Sequence, residues 1–455
     1  MARATRAALV VSALVVAGVT LTMSRRVLAG PTETYGFFSR STALGGAVSA
    51  DATDSSANFY NPAGLAGASG LSFDVGYVRA DPHLAINGRD TDVDPVHGLV
   101  FGLVAPGRIG TIPFAFGVGL HLPDDRVFRV RSLDQLQPRW ELYDNTPQRI
   151  YLSANVAVEP FPGFQIGGGL TFLASTSASL SITGGLDIAD VSSSRMRHEV
   201  DASLQSVRYP EAGVRITPHK RLRLAGVYRG EFQLDLNIDA RVMLDAQALG
   251  LTVPFLALIH TASVNAFLPR NVVVGASWDA SDDVTVDADL TWVQWSAYKS
   301  PVTAVDATTK LDAPPGFPAS LVPTSPAPTI VEAPRFADRI VPRVGVEWRL
   351  PLGPRAHGHR LALRAGYFYE RSPVPAQSGG TNFVDADRHA FSAGLGVVLH
   401  ALGAISPGDL RLDVHAQWSV LPERTFEKSS AADLVGDYSA SGTIVSVGTT
   451  LGVTF

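Results

Sequence analysis

Along most of this chain the side chains alternate between apolar and polar at every second position. From Val284 to Trp292, the residues Val284, Val286, Ala288, Leu290 and Trp292 share one face, and Thr285, Asp287, Asp289 and Thr291 share the other. Leu410, Leu412, Val414, Ala416, Trp418 and Val420 likewise oppose Arg411, Asp413, His415, Gln417 and Ser419. Between Leu222 and Val242 the even positions are apolar or small, while the odd ones include Arg223, Arg229, Asp235 and Arg241. Successive side chains of a strand point to opposite faces, so this period predicts strands; a helix would scatter the same charges around its cylinder. Beyond the first thirty residues no apolar run reaches the ~20 residues of a membrane-spanning helix. Yet only 17% of the residues are charged and 46% are hydrophobic, against about a quarter charged in soluble domains. A helical membrane protein is excluded, and an ordinary soluble enzyme fits poorly.

Fourteen alternating segments follow residue 70, at roughly 71–80, 96–105, 111–122, 148–159, 164–182, 196–217, 221–242, 261–278, 284–299, 336–350, 359–371, 388–400, 409–421 and 441–455. Short connections such as Phe161-Pro162-Gly163 and Pro218-His219-Lys220 alternate with long ones near 123–147, 243–260, 300–335, 372–387 and 422–440. An even strand number with short turns at one end and long loops at the other predicts an outer-membrane barrel. A pair of soluble β-sandwiches would alternate too, because periodicity does not say which face looks inward. Two features favour the barrel. Trp278 and Trp348 fall near the short-turn ends of their strands, and Trp292, Trp295 and Trp418 near the long-loop ends, as two interfacial girdles would. The last strand, with Val445, Val447, Thr449, Leu451 and Val453 on one face, runs to a terminal Phe455, an ending of the kind that outer-membrane assembly machinery reads.

At the other end, Arg3 and Arg6 precede an apolar stretch from Ala7 to Leu21 and small residues at Val27-Leu28-Ala29. That order predicts a secretory signal over residues 1–30. The expected organisation is therefore a signal at 1–30, a plug segment at 31–70 and a barrel over 71–455. The chain has no cysteine, which removes disulfides, thiolate metal sites and cysteine nucleophiles. No zinc-protease, nucleophile-elbow or phosphate-loop motif occurs, and His357-Gly358-His359 lacks a third metal ligand. No enzyme, cofactor or metal is expected. A net charge of −5 argues against nucleic acid as the main partner.

Three stretches carry a family resemblance. The plug segment contains Ser41-Thr42-Ala43-Leu44-Gly45-Gly46-Ala47 and then Asn58-Phe59-Tyr60-Asn61-Pro62-Ala63-Gly64-Leu65. Further on stand Asp289-Leu290-Thr291-Trp292-Val293-Gln294-Trp295-Ser296 and Arg364-Ala365-Gly366-Tyr367-Phe368-Tyr369-Glu370-Arg371-Ser372-Pro373-Val374-Pro375. In order and spacing these resemble the FadL/TodX family of outer-membrane transporters of long-chain fatty acids and hydrocarbons. The resemblance implies an all-β, 14-stranded antiparallel transmembrane barrel whose lumen is closed by an N-terminal hatch. It also implies a passive, monomeric channel for hydrophobic small molecules that sits among outer-membrane lipid and lipopolysaccharide. Asn61, Pro62 and Ala63 then mark a turn in the hatch.

An alkyl chain gains about 0.8 kcal/mol per methylene on leaving water, so its carrier needs an apolar landing surface outside. Two connections offer one. In the first, Phe128, Leu133, Leu136 and Trp140 stand among charges, the last three at helix-like spacing, with Arg129, Arg131 and Arg139 available to a carboxylate. In the second, Leu249, Leu251, Val253, Phe255, Leu256, Leu258 and Ile259 form the most apolar connection in the chain. For the exit, Pro113, Gly117 and Gly119 thin one face of the third strand, which could weaken pairing and open the wall sideways, or let the hatch pack close. The polar residues Arg223, Asp235, Asp287, Asp289, Arg364, Arg411, Asp413 and His415 are expected to pair across the lumen, since unpaired burial would be costly. A general porin and a structural or adhesive barrel are the alternatives; the hatch and the apolar connections speak against both.

Overall fold

Strands form wherever the alternation was read, and the computed structural model closes them into a ring. It describes residues 34–125, 136–144, 150–187, 195–248, 251–299, 304–312, 315, 325, 327–328, 332–353, 358–400 and 408–455. The expected signal at 1–30 lies outside these residues, as do Phe128, Arg129, Arg131, Leu133 and Leu249.

In chain order the strands are β1 (Ser72–Ile86), β2 (Arg89–Asp90), β3 (Val96–Ile109), β4 (Ile112–Pro123), β5 (Tyr151–Phe161) and β6 (Phe164–Asp187). Then come β7 (Arg195–His219), β8 (Leu222–Arg229), β9 (Phe232–Ala248), β10 (Leu251–Leu268), β11 (Asn271–Asp279) and β12 (Val284–Val293). The last are β13 (Ala304–Leu311), β14 (Arg339–Pro351), β15 (Arg360–Glu370), β16 (Arg388–His400), β17 (Asp409–Phe426) and β18 (Tyr438–Thr454). Fourteen of them make the wall, each antiparallel to its neighbours, with β8 pairing directly to β11 and β12 to β14. The ring closes where β1 pairs with β18 from Ser72 opposite Thr454 to Ile86 opposite Ala440. Closure leaves no unpaired edge in hydrocarbon, where an unsatisfied backbone group costs several kcal/mol.

Burial decides which face looks out. On β17, Leu412, Val414 and Trp418 are exposed, whereas Asp413, His415, Gln417 and Ser419 are buried. On β12, Thr285, Asp287, Asp289 and Thr291 are buried and Leu290 is exposed. A sandwich would show the reverse, so the apolar face is the outer, lipid-facing one. Trp278, Trp348 and Trp418 are exposed on it. Trp295 departs from the expected girdle: a 3-10 turn at Trp295–Ala297 swings it inward, where it is buried against Phe267 and Phe336.

Two expected strands are each broken. The segment 221–242 parts after Arg229, and 261–278 parts at Pro269-Arg270. Two residues separate β8 from β9, so even positions stay apolar across the break, and a period-two pattern is blind to it. The expected loop over 243–260 is instead strand: β9 and β10 form a hairpin, Leu251 opposite Ala248. Consecutive apolar residues such as Phe255 and Leu256 hide its alternation. β9 runs parallel to the upper part of β6, and β10 pairs with β13, giving an outer sheet ordered β7–β6–β9–β10–β13. At about 3.3 Å per residue the 24 residues of β6 cover roughly 80 Å of strand, while a tilted strand crosses a bilayer in about 9–11 residues. The outer sheet therefore stands clear of the membrane.

The segment from Thr34 to Gly70 lies inside the ring. It carries α1 (Ser39–Ala43), α2 (Ala57–Tyr60) and a 3-10 turn at Pro62–Gly67. Its Phe37, Leu44, Val48, Phe59 and Leu65 pack on inward Val78, Val100, Val104, Ala115 and Tyr151 of the wall. Several wall glycines mark where the segment comes closest. A Cβ on Gly213 would overlap the Asn61 amide, and one on Gly366 would overlap the Leu44–Gly45 backbone. The wall approaches to backbone contact, which only glycine permits. Replacing Gly213 or Gly366 by Val overpacks this seat by about 1–3 kcal/mol. The expected outcome is a displaced hatch with an intact barrel, read as several-fold higher single-channel conductance with unchanged heat-dependent gel mobility.

Candidate functional site

Above the hatch and below the long loops lies a cavity of about 120 Å³. Its floor is Gly45, Gly46, Phe59 and Tyr60 of the hatch, and its wall comes from the loop-side ends of β8, β11, β12, β14, β15 and β16. Leu142 and Tyr143 of α3 (Glu141–Asp144) enter from one side. Over the mouth, Phe267, Trp295, Tyr298, Phe336 and Phe383 form one aromatic cluster, with Tyr298 and Phe336 centroids 4.6 Å apart and Phe336 edge-on to Phe383 at 5.4 Å. Such rings supply apolar area that stays rigid.

Among the described residues, four guanidiniums reach this cavity but only two carboxylates, Asp289 and Glu370. Arg229 donates to the carbonyls of Phe59 and Tyr60 and to Asn271, tying β8 to the hatch. Arg339 pairs with Glu370, and Arg388 lies 3.7 Å from the same carboxylate while donating to Ser419 and to the carbonyl of Thr34. Asp289 accepts from the backbone and hydroxyl of Ser49. Arg343 is different. It donates to the carbonyl of Gly45 at 3.1 Å and sits 4.5 Å over the Phe368 ring, and no carboxylate lies within ion-pair distance of it among the described residues. Arg388 covers the same ring at 5.0 Å. A half-buried cation of this kind, stacked on an aromatic and held by one neutral acceptor, is suited to receive an anionic group. Arg343→Met keeps the bulk and removes the charge. Because a charged hydrogen bond is worth about 1.5–3 kcal/mol, the dissociation constant for palmitate should rise at least about tenfold, with toluene binding unchanged, as measured by calorimetry.

Beneath the cavity the hatch is bound to the wall by ions. Arg40 of α1 pairs with Asp51 and, at 3.1 Å, with Glu347. Arg364 bridges Glu347 and Asp413, each at 2.6 Å. Arg411 joins Asp54 of the hatch to Asp74 of β1, and Arg223 joins Asp51 to Asp279. The expected pairing of Arg223, Arg364, Arg411 and Asp413 is met: Arg364 and Asp413 pair within the wall, and Arg223 and Arg411 each add a hatch carboxylate to a wall partner. Asp289 instead accepts hatch hydrogen bonds. The side chain of Asp235 lies outside the described residues.

The other site residues scatter. Asn61 caps the 3-10 turn, its side-chain oxygen accepting from the Ala63 amide at 3.0 Å, and donates to the carbonyls of Ser49 and Val214; Pro62 opens that turn. Trp140 is not on an exposed landing helix: it is 1% exposed and edge-on to Tyr143, and the helix among the described residues there is Glu141–Asp144. Leu136 is exposed. Arg139 donates to Gln137 and its backbone pairs with Asn382 and Val384. Val253, Phe255, Leu256 and Ile259 lie on β10, with Leu251 at its start. At β4 the wall is closed: its ladder to β5 runs unbroken from Phe114 opposite Val158 to His121 opposite Tyr151. Gly117 and Gly119 face the hatch, where a Cβ would crowd Asn58, and Pro113 is half-buried opposite Arg108. Small residues there serve hatch packing in this structure.

Of the cavity residues, Phe368 and Glu370 stand in the third resemblance stretch without a site role, and Arg339, Arg343 and Arg388 are not among the sequence-predicted site residues. A signal existed: Arg229, Arg339 and Arg388 are the last or first residues of their strands, at the loop side and on the polar face.

Across the mouth, the connection from 371 to 387 seats Val374, Phe383 and Val384 in the aromatic cluster. Burial pushes the neighbouring Asp385 carboxyl up to about 7, against the opposing pull of Arg339. A raised carboxyl favours the seated loop below its ordinary range near 4, and that advantage is lost as pH rises through about 7. Amide exchange at Phe383 and Val384, after correction for intrinsic rate, should therefore increase from pH 5 to pH 8, and Asp385→Asn should flatten the profile.

Comparison with known proteins follows the same geometry. The fold is similar to that of a Pseudomonas aeruginosa FadL homologue, at 14% identity over 94% of this chain and 98% of that one, with a TM-score of 0.56. It is also similar to the monoaromatic hydrocarbon channel CymD (16% identity, 92% and 98% covered, TM-score 0.52) and to the toluene transporter TodX of P. putida (14%, 92% and 99%, 0.51). No curated protein matches the sequence. The family model for outer membrane protein transport proteins (OMPP1/FadL/TodX) matches residues 144–455. This chain belongs to the OMPP1/FadL/TodX family of outer-membrane transport proteins.

Proposed function

We propose that the protein is a passive channel that brings hydrophobic compounds, long-chain fatty acids among them, through the outer membrane and past its hatch. The observation that carries this reading is the cavity: aromatic side chains and an excess of guanidinium charge meet directly on the hatch, at Gly45, Phe59 and Tyr60. Its 120 Å³ is near the roughly 150 Å³ of a cavity that accepts benzene. A ring or a head group fits, and a longer ligand needs the hatch to shift. A general porin is disfavoured because the hatch is fastened to the wall by three ion pairs among the described residues, Arg40–Glu347, Asp51–Arg223 and Asp54–Arg411. Capture begins outside, on the apolar residues of β10. Passage runs along the hatch, and a sideways exit at β4 first requires Asn58 to leave Gly117 and the carbonyls of Leu103 and Val118 to which it donates.

Deleting the gene and measuring uptake of radiolabelled fatty acids, monoaromatic hydrocarbons and other lipids tests the proposal. Uptake of at least one class should fall several-fold and return on complementation, and that class should appear by mass spectrometry on the purified barrel. Normal uptake of every class would refute it.

A further inference from the structure

The outer sheet ends in an open edge. β7 ladders to β6 from Ile216 up to Arg195, whereas its other neighbour, β8, meets it only from Glu211 downward. Among the described residues, the far edge of β7 over 195–209 therefore faces no strand. Arg195 stands about 50 Å of strand beyond Glu211 at 3.3 Å per residue, well outside the bilayer. An open edge is a template for another strand. Charge commonly blunts such edges, and charge of one sign would repel every copy.

Here the charges are of two signs and are sorted. Arg195 and Arg197 precede Glu199 and Asp201 on one face of the strand, and all four are exposed, Arg197 at 81% and Glu199 at 72%. Arg197 and Glu199 touch only loosely, at 3.9 Å. The register partners of the four on β6 are Gly185, Thr183, Ser181 and Ser179. None of these is charged, so the row takes no counter-charge from the neighbouring strand. On the other face of the same edge Val200 is 64% exposed.

Symmetry selects one way for this edge to meet its like. Two barrels of the same orientation in one membrane can share a two-fold axis only along the membrane normal. Copies of β7 meeting on that axis descend side by side and set like residues level, Arg197 by Arg197 and Glu199 by Glu199, which is repulsive. A two-fold axis midway between two facing membranes makes the copies antiparallel instead. With His198 on that axis, Arg195 lies opposite Asp201 and Arg197 opposite Glu199 of the second copy, and each pair occurs twice. Every charge of the row then meets its opposite, and Val200 comes under the cover of the second strand.

We propose that the outer sheet is a homophilic contact between facing outer membranes, in which the upper edge of β7 adds to the same edge of a second copy on the opposite membrane. Each barrel stays single within its own membrane, and transport through it does not depend on the contact. One such pairing is short and its ion pairs are exposed, so it is weak alone; many channels on two surfaces supply the avidity.

The test places the full-length protein in phosphatidylcholine vesicles and follows clustering by dynamic light scattering. Wild-type vesicles should cluster several-fold more than empty ones and disperse at about 1 M salt, where the screening length falls to about 3 Å. Vesicles carrying Arg195→Glu with Arg197→Glu should not cluster, nor should those carrying Glu199→Arg with Asp201→Arg. A mixture of these two populations should cluster again, because each edge is then of one sign and opposite to the other. The chain has no cysteine, so Arg197→Cys in one population and Glu199→Cys in a second should give a disulfide between vesicles under mild oxidation, as only the antiparallel register allows. Heat-dependent gel mobility is expected to be unchanged in every variant, which shows that the barrel has folded. Wild-type vesicles that stay dispersed would overturn the inference, as would clustering that the substitutions leave unchanged. A mixture that stays dispersed, or pairing found only within single vesicles, would overturn it too.

Discussion

Everything in this molecule depends on the ladder between β1 and β18. A sheet in hydrocarbon cannot leave amides and carbonyls unpaired, and the last strand of the chain supplies the partners that the first one lacks. Once the ring is shut, each strand has one face in lipid and one in the lumen. The lumen can then be polar without cost only where its charges meet partners. The hatch adds to them: Arg40, Asp51 and Asp54 make ion pairs with Glu347, Arg223 and Arg411, each of which also has a partner on the wall.

The lumen is divided by chemistry as well as by height. Toward β1, β3, β4 and β5 the wall offers small and apolar residues, and the hatch answers with Phe37, Phe59 and Leu65. Toward β12, β14, β15 and β17 it offers carboxylates and guanidiniums, and the hatch answers with Arg40 and Ser49. Close approach serves both sides, at Gly117 of β4 and at Gly366 of β15, and directional bonds do too, through Asn58 on one side and Arg40 and Ser49 on the other. Above this seat the balance shifts to aromatic rings and surplus positive charge, so the cavity and the seat share a boundary formed by Gly45, Phe59 and Tyr60. A ligand in the cavity therefore touches the same residues that hold the lumen closed.

The strand-built outer sheet changes how the exterior of such a channel can work. The connection expected to be a greasy loop is a hairpin whose register fixes which side chains share a face. A loop would present Leu256, Leu258 and Ile259 together; a strand separates them.

The amino-acid sequence alone determined the wall. Alternation at period two, the spacing of short and long connections and the terminal Phe455 are local quantities, and all fourteen wall strands were legible from them. It could not show that 221–242 breaks at Gly230, since a two-residue interruption leaves the period in phase, nor that Trp140 and Trp295 turn inward, since burial belongs to the neighbours and not to the residue. Which face meets lipid, which partners the lumenal charges take, and that Arg343 makes no ion pair among the described residues were decided by closure. These depend on distances between residues hundreds of positions apart, such as Arg40 and Glu347 or Arg411 and Asp54, and no periodicity along the chain records them.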